Sequence, residues 1–104
     1  MSSLDQTFSA LGDPTRRAIL ARLTLGEARL SDIAEPFDMS QTGVTRHVHV
    51  LQDAGLVTVE KRGRTRYCRL TPAPLEDASN WIADYEQFWA GRLEDLARYL
   101  GEPE

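Results

Sequence analysis

Residues 39–57 read MSQTGVTRHVHVLQDAGLV, and the fold turns on what this stretch forms. Ser40 is a strong helix N-cap residue and Gly55 a natural helix stop, so the spacing predicts a helix over about residues 40–54. At about 100° per residue, Val44, Val48 and Leu51 fall on one side, while Thr42, Thr45, Arg46 and His49 cluster on the other. The outer face is short, polar and rich in donors, which suits insertion into a DNA major groove. Gly43, near the start, would allow close approach of a duplex backbone to the positive end of the helix. The chain's only two histidines, His47 and His49, both lie here. Two residues apart, they diverge by about 200° and cannot chelate one metal ion from the same helix. His47 lies on the flank of the apolar side, where it is expected to pack or hydrogen-bond at a helix junction. His49 lies on the outer face beside Thr42 and Arg46.

Working outward, "RLSDIAEPFD" upstream carries Leu30, Ile33, Ala34 and Phe37 as the apolar set of a short helix, with Pro36 discouraging its continuation. Before it, "GDPTRRAILARLTLGE" has Asp13 as N-cap, Pro14 at the first helical position and Gly26 past the end. Ala18, Ile19, Leu20, Leu23 and Leu25 are expected in its buried stripe. Leu4, Phe8 and Leu11 mark a first helix over residues 4–11. Downstream, "LVTVEKRGRTRYCRL" holds two β-prone runs joined at Gly63, a hairpin over about residues 56–71 with a basic tip. After Pro72 and Pro74, apolar residues spaced by threes and fours predict one long helix over about residues 75–100, roughly 40 Å in length. The expected class is mainly α with a β-hairpin wing, in the order α-α-α-α-β-β-α. Two short helices followed directly by a hairpin describe a winged helix-turn-helix in a single domain, residues 1–104.

Charge is unevenly distributed along the 104 residues, and the net −4 of the chain conceals this. Over residues 41–71, Arg46, Lys61, Arg62, Arg64, Arg66 and Arg69 face only Asp53 and Glu60, a net of +4. Over residues 72–104, Arg92 and Arg98 face eight acidic residues, a net of −6. One part of the molecule attracts phosphates and another repels them, an orienting distribution for a polyanion. A basic run next to a helix-turn-helix reads as a wing that grips phosphates or a minor groove, with Arg62, Arg64 and Arg66 as its main contacts. Double-stranded DNA is the partner this pattern implies.

The segments "ALGDPTRRAILARL", "SDIAEPFDMSQTGVTRHVHVLQDAGLV" and "KRGRTRYCRLTPAPLEDASNWIADYEQFWAGRLEDLARYL" closely resemble the ArsR family of winged-helix transcriptional repressors, over nearly the whole chain. The resemblance implies a homodimer on a palindromic operator, built through the first and last helices. Leu4, Phe8, Trp81, Tyr85, Phe88, Trp89, Leu93 and Leu96 would then supply the dimer interface. It also carries a DNA-reading role onto Ser40, Gln41, Thr42, Thr45 and Arg46. Many members of this family sense metals. The short helix here lacks their cysteine pair and the last helix has acids but no histidine, so the resemblance points to the metal-independent branch. No metal site and no cofactor are expected.

Cys68 alternates with Leu70 on one strand face and reads as a half-buried packing residue. Arg66 and Arg69 beside it could favour a thiolate, so a redox sensor on the same scaffold stays open as an alternative. A ligand-responsive sensor and a winged-helix interaction module without DNA binding are the others, the concentration of arginine arguing against the last. No nucleophile–base pattern or phosphate-binding glycine loop is present, so an enzyme is not expected. The N-terminus lacks a basic segment followed by an apolar core, and no apolar run nears the ~20 residues that span a bilayer. The expectation is a mature cytoplasmic protein without membrane attachment.

Overall fold

The computed structural model describes residues 3–101, so the outermost residues of the expected 1–104 domain lie outside the described part. Helix α1 (Ser3–Leu11) leads into α2 (Pro14–Leu23), which starts where the sequence places it. The Asp13 carboxylate accepts from the Thr15 and Arg16 N–H groups, and Pro14 occupies the first turn, where no N–H is needed. Strand β1 (Ala28–Arg29) precedes α3 (Leu30–Ala34), and α4 (Gln41–Asp53) follows the turn at Asp38 and Met39. Gly55, at φ 77°, ends α4: its N–H bonds to Gln52 O and the Leu56 N–H reaches back to Leu51 O. Strands β2 (Val57–Arg62) and β3 (Thr65–Leu70) form the hairpin, turning at Gly63 with φ 64°.

The core gathers where α2, α3, α4 and the sheet meet. Ile19, Ile33, Val44, Val48, Leu51, Leu56 and Cys68 are all fully buried. Each aliphatic side chain so buried stabilises the fold by about 1.5–3 kcal/mol. The apolar side expected of residues 40–54 is therefore the side that packs. Thr7, also buried, donates its hydroxyl hydrogen to Ser3 O. Two expected members of the α2 stripe are not buried. Ala18 faces solvent, and Leu25 lies beyond the last turn of the helix with 81% of its surface exposed.

Two elements differ from expectation. The wing is part of a three-stranded antiparallel sheet in the order β1-β3-β2, with Ala28 opposite Cys68 and Arg29 opposite Tyr67. Strand β1 is only two residues long and abuts α3, so it has no alternating pattern to reveal it. The single long helix over residues 75–100 is instead two, α5 (Ala73–Ala83) and α6 (Glu86–Gly101). At the break, the Asp84 and Tyr85 N–H groups bond three residues back, to Trp81 O and Ile82 O. No residue of α6 is buried, and the molecule extends 68 × 30 × 22 Å. Its radius of gyration is 18.2 Å, against about 13 Å for a compact chain of similar length. Helix α6 is an arm outside the core.

Candidate nucleic-acid interface

The turn before α4 sets the interface. The Ser40 backbone is extended and its Oγ accepts the Gly43 N–H at 3.1 Å, fixing the start of the helix. Gln41, Thr42, Arg46 and His49 are exposed on one side of α4, and Arg46 has no hydrogen-bond or ion-pair partner among the described residues. Thr45 is half-buried, and its hydroxyl donates to Gln41 O at 2.8 Å, leaving only its lone pairs for an outside group. A Cβ at Gly43 would meet Ser40 Oγ and Met39 Sδ at ordinary contact distances, so the fold itself does not require glycine there.

His47 faces inward, as its flank position implies. Its Nδ1 lies 3.3 Å from an Arg16 guanidinium nitrogen and 3.8 Å from Asp13 Oδ2. Burial works to raise the Asp13 carboxyl, but the Arg16 and Thr15 N–H donors and the nearby Arg16 and His47 side chains outweigh it. The group is held below the ordinary carboxylate range.

On the wing, the basic residues divide into two groups. Arg62, expected as a DNA contact, is committed elsewhere: its guanidinium forms a two-pronged pair with Glu27 at 2.8 Å and 2.8 Å and also reaches Glu60 at 3.1 Å. It also lies 4.4 Å from the Tyr67 ring centre. Its hydrogen bonds to Glu27 and Glu60 raise it further above its ordinary value. Arg69 shares Glu60. Arg62 is thus a latch that ties the hairpin to the turn before β1, a contact with a residue 35 positions away that no local pattern discloses. Lys61, Arg64 and Arg66 have no such partners among the described residues. Arg64 and Arg66 come together with Ser31, Thr65, Gln41 and Thr45 around a cleft of about 290 Å³ between the wing and the start of α4. Ser31 and Thr65 escaped the sequence reading because neither lies on the α4 face or carries charge. The cleft offers two free guanidinium groups, hydroxyls and an amide, a donor set for phosphate oxygens.

Of the expected interface residues, Phe8, Trp81, Tyr85, Phe88 and Trp89 form a run of neighbouring rings. Phe8 on α1 meets Trp81 on α5 edge-on at 5.6 Å, and Trp81 contacts Tyr85 at 5.0 Å. Trp81, Ile82, Tyr85, Phe88 and Trp89 line an apolar groove of about 270 Å³. Trp81, at 46% exposed, is the most covered of the aromatic set on α5 and α6, and Leu93 and Leu96 are likewise exposed. Leu4 is half-buried. Cys68 is completely buried between Ala28 and Val59, and burial pushes its thiol up, away from the reactive thiolate. Arg69 beside it projects from the opposite face of β3, while Arg66, two residues away on the same face, is exposed near the hairpin tip. Among the described residues, no group of three or more His, Cys, Asp or Glu side chains is placed to hold a metal ion. No described helix is long and apolar enough to cross a membrane.

Comparison with known proteins agrees with this geometry. A family described as a helix-turn-helix domain matches residues 11–60, which run from the end of α1 into β2. The transcriptional repressor SdpR of Bacillus subtilis is 33% identical over 79% of this chain and 91% of its own length. The HTH-type transcriptional regulator Rv2034 of Mycobacterium tuberculosis is 33% identical over 94% of this chain and 89% of its own. A crystal structure of an ArsR family transcriptional regulator superposes with a TM-score of 0.78 at 40% identity, covering 85% of this chain and 91% of that one. Helix order, wing and relatives together establish that this chain belongs to the ArsR family of winged helix-turn-helix transcriptional regulators.

Proposed function

We propose that the chain acts as a cytoplasmic homodimeric repressor that binds a palindromic operator in double-stranded DNA and is released without a metal switch. Each α4 enters a major groove, presenting Gln41, Thr42, Arg46 and His49 to base edges, with Ser40 and Thr45 at its rim. A strand of the duplex runs past the cleft, where Arg64 and Arg66 take its phosphates. The two-fold axis passes through the aromatic faces of α1, α5 and α6, whose exposure leaves an apolar surface for a second copy to cover. The operator half-sites then lie about 34 Å apart or a multiple of this. Occupancy of a promoter by the dimer blocks transcription.

The observation that carries this reading is the cleft. Two unpaired arginines converge beside the exposed polar face of α4, while the other arginines of the sheet are neutralised by carboxylates. Selection of bound fragments from genomic DNA, including the region upstream of the protein's own gene, tests it. The expected product is a palindrome with that spacing; recovery of unrelated fragments at every salt concentration would overturn the reading.

A further inference from the structure

Arg16 joins three elements through one guanidinium group. Its Nε donates to Ala10 O at 2.6 Å and a second nitrogen donates to Ser9 O at 3.3 Å, both in the last turn of α1. The third nitrogen lies 3.3 Å from His47 Nδ1 in the middle of α4. The carbonyls at a helix C-terminus have no partners within the helix and carry partial negative charge. Helix α1 has no basic residue of its own in that turn, so the cations come from α2: Arg16, and Arg17, which donates to Leu11 O at 2.7 Å. Phe8, which meets Trp81 on the aromatic face, is one residue from the Ser9 carbonyl. The path from that face to the outer helix is therefore Phe8, one peptide unit, Arg16, His47.

We propose that Arg16 is a positioning residue that ties the recognition helix α4 to the end of α1, so that the seating of α1 against a second copy sets the angle of α4. The inference rests on the dimer reading above. The tie requires a lone pair on Nδ1, hence the His47 tautomer with its hydrogen on Nε2. Asp13, 3.8 Å from the same nitrogen, and Arg16 are the charged groups brought to His47 at the start of α2. A ring carrying hydrogen on Nδ1 would lose Arg16 and turn to Asp13, exchanging the α1 link for one to α2 alone.

The test uses the full chain in two arms. In the first, the 15N signal of the His47 ring is followed while the protein is diluted through dimer dissociation, with sedimentation as the monitor of assembly. The signal should move with the dimer fraction in the wild type and stay fixed in Arg16→Lys, which keeps the charge but loses the fork. Equal movement in both refutes the tie alone; a wild type that sediments as a monomer throughout refutes the dimer on which it rests. In the second, His47→Leu should weaken binding to the selected palindromic duplex by about tenfold. Binding to one isolated half-site should change by less than about twofold, and His47→Asn, whose Oδ1 replaces the acceptor, should restore the palindrome. Equal losses on both duplexes mean a role in stability only and overturn the inference, as does failure of the asparagine to rescue. A wild type that binds neither duplex refutes the operator reading, and the first arm still decides the tie.

Discussion

Replacing Arg64 by glutamine removes one positive charge from the cleft while keeping a polar side chain of similar reach. Arg64 pairs with no carboxylate among the described residues, so the change breaks no ion pair and should leave thermal unfolding within about 1 °C of wild type. Neutralising one phosphate fewer reduces the magnitude of the slope of log K against log salt by ~0.9, so a dimer with two wings should show a reduction of ~1.8. Between 50 and 200 mM salt the wild type should therefore lose about tenfold more affinity than the variant, since a fourfold change in salt is ~0.6 log units. Arg62→Gln is the control. Its guanidinium is held by Glu27 and Glu60, so the salt slope should stay within about 0.5 of wild type. The hairpin, released from the turn before β1, should instead melt earlier. Fluorescence anisotropy of a labelled operator duplex across a series of potassium chloride concentrations measures both slopes. An unchanged slope for Arg64→Gln, or an equal fall for Arg62→Gln, would refute the division of the wing into gripping and latching arginines.

Further expectations concern the fold and its faces. Glu60 is held below the ordinary carboxylate value, chiefly by the hydrogen bond and charge of Arg62, burial opposing. Its contribution to stability is complete above the unfolded value and is lost as pH falls through the lowered folded value. The melting-temperature gap between wild type and Glu60→Gln should thus be present near neutrality and narrow as the solution is acidified below the ordinary glutamate range, whereas a gap independent of pH contradicts the latch. Cys68 should react with a thiol reagent only at the rate of global unfolding, and Cys68→Ser should destabilise by about 1–3 kcal/mol in urea titrations through an unpaired buried hydroxyl. Rapid labelling of the native protein would revive the redox alternative. Leu51→Ala, at a fully buried position between the helices, should cost about 2–5 kcal/mol in the same titration. A loss below ~1 kcal/mol would mean that the core has closed over the cavity. Trp81→Ala should raise the dimer dissociation constant at least about tenfold in sedimentation equilibrium, and no change would place the interface elsewhere.

Much of the fold was legible because its signals are local. Asp13 and Pro14 open α2, Ser40 opens α4, Gly55 closes it and Gly63 turns the hairpin, and each acts through backbone groups within a few residues. The apolar side of α4 was equally plain, since Val44, Val48 and Leu51 meet the core at helical spacing. The break at Asp84 and Tyr85 was not legible. Neither glycine nor proline stands there, and the apolar spacing of Trp81, Ile82, Tyr85, Phe88 and Trp89 continues unbroken across it. The two-residue β1 was hidden for the opposite reason: it is too short to have a period.

By itself, the sequence determined which segments are helical, which face of α4 is outward, and that positive charge collects around it. Those properties follow from side-chain period, capping and composition, which do not depend on what packs where. Only the tertiary structure decided which arginines are available. Arg62 and Arg64 look alike in the hairpin, yet the pairing of β1 with β3 and the turn before it place Glu27 against the first and leave the second free. The same holds for His47, which is turned inward to Arg16 by the crossing of α2 and α4, while His49 faces out. A charge or an imidazole acquires its role from groups distant in the chain, and their meeting is a property of the fold.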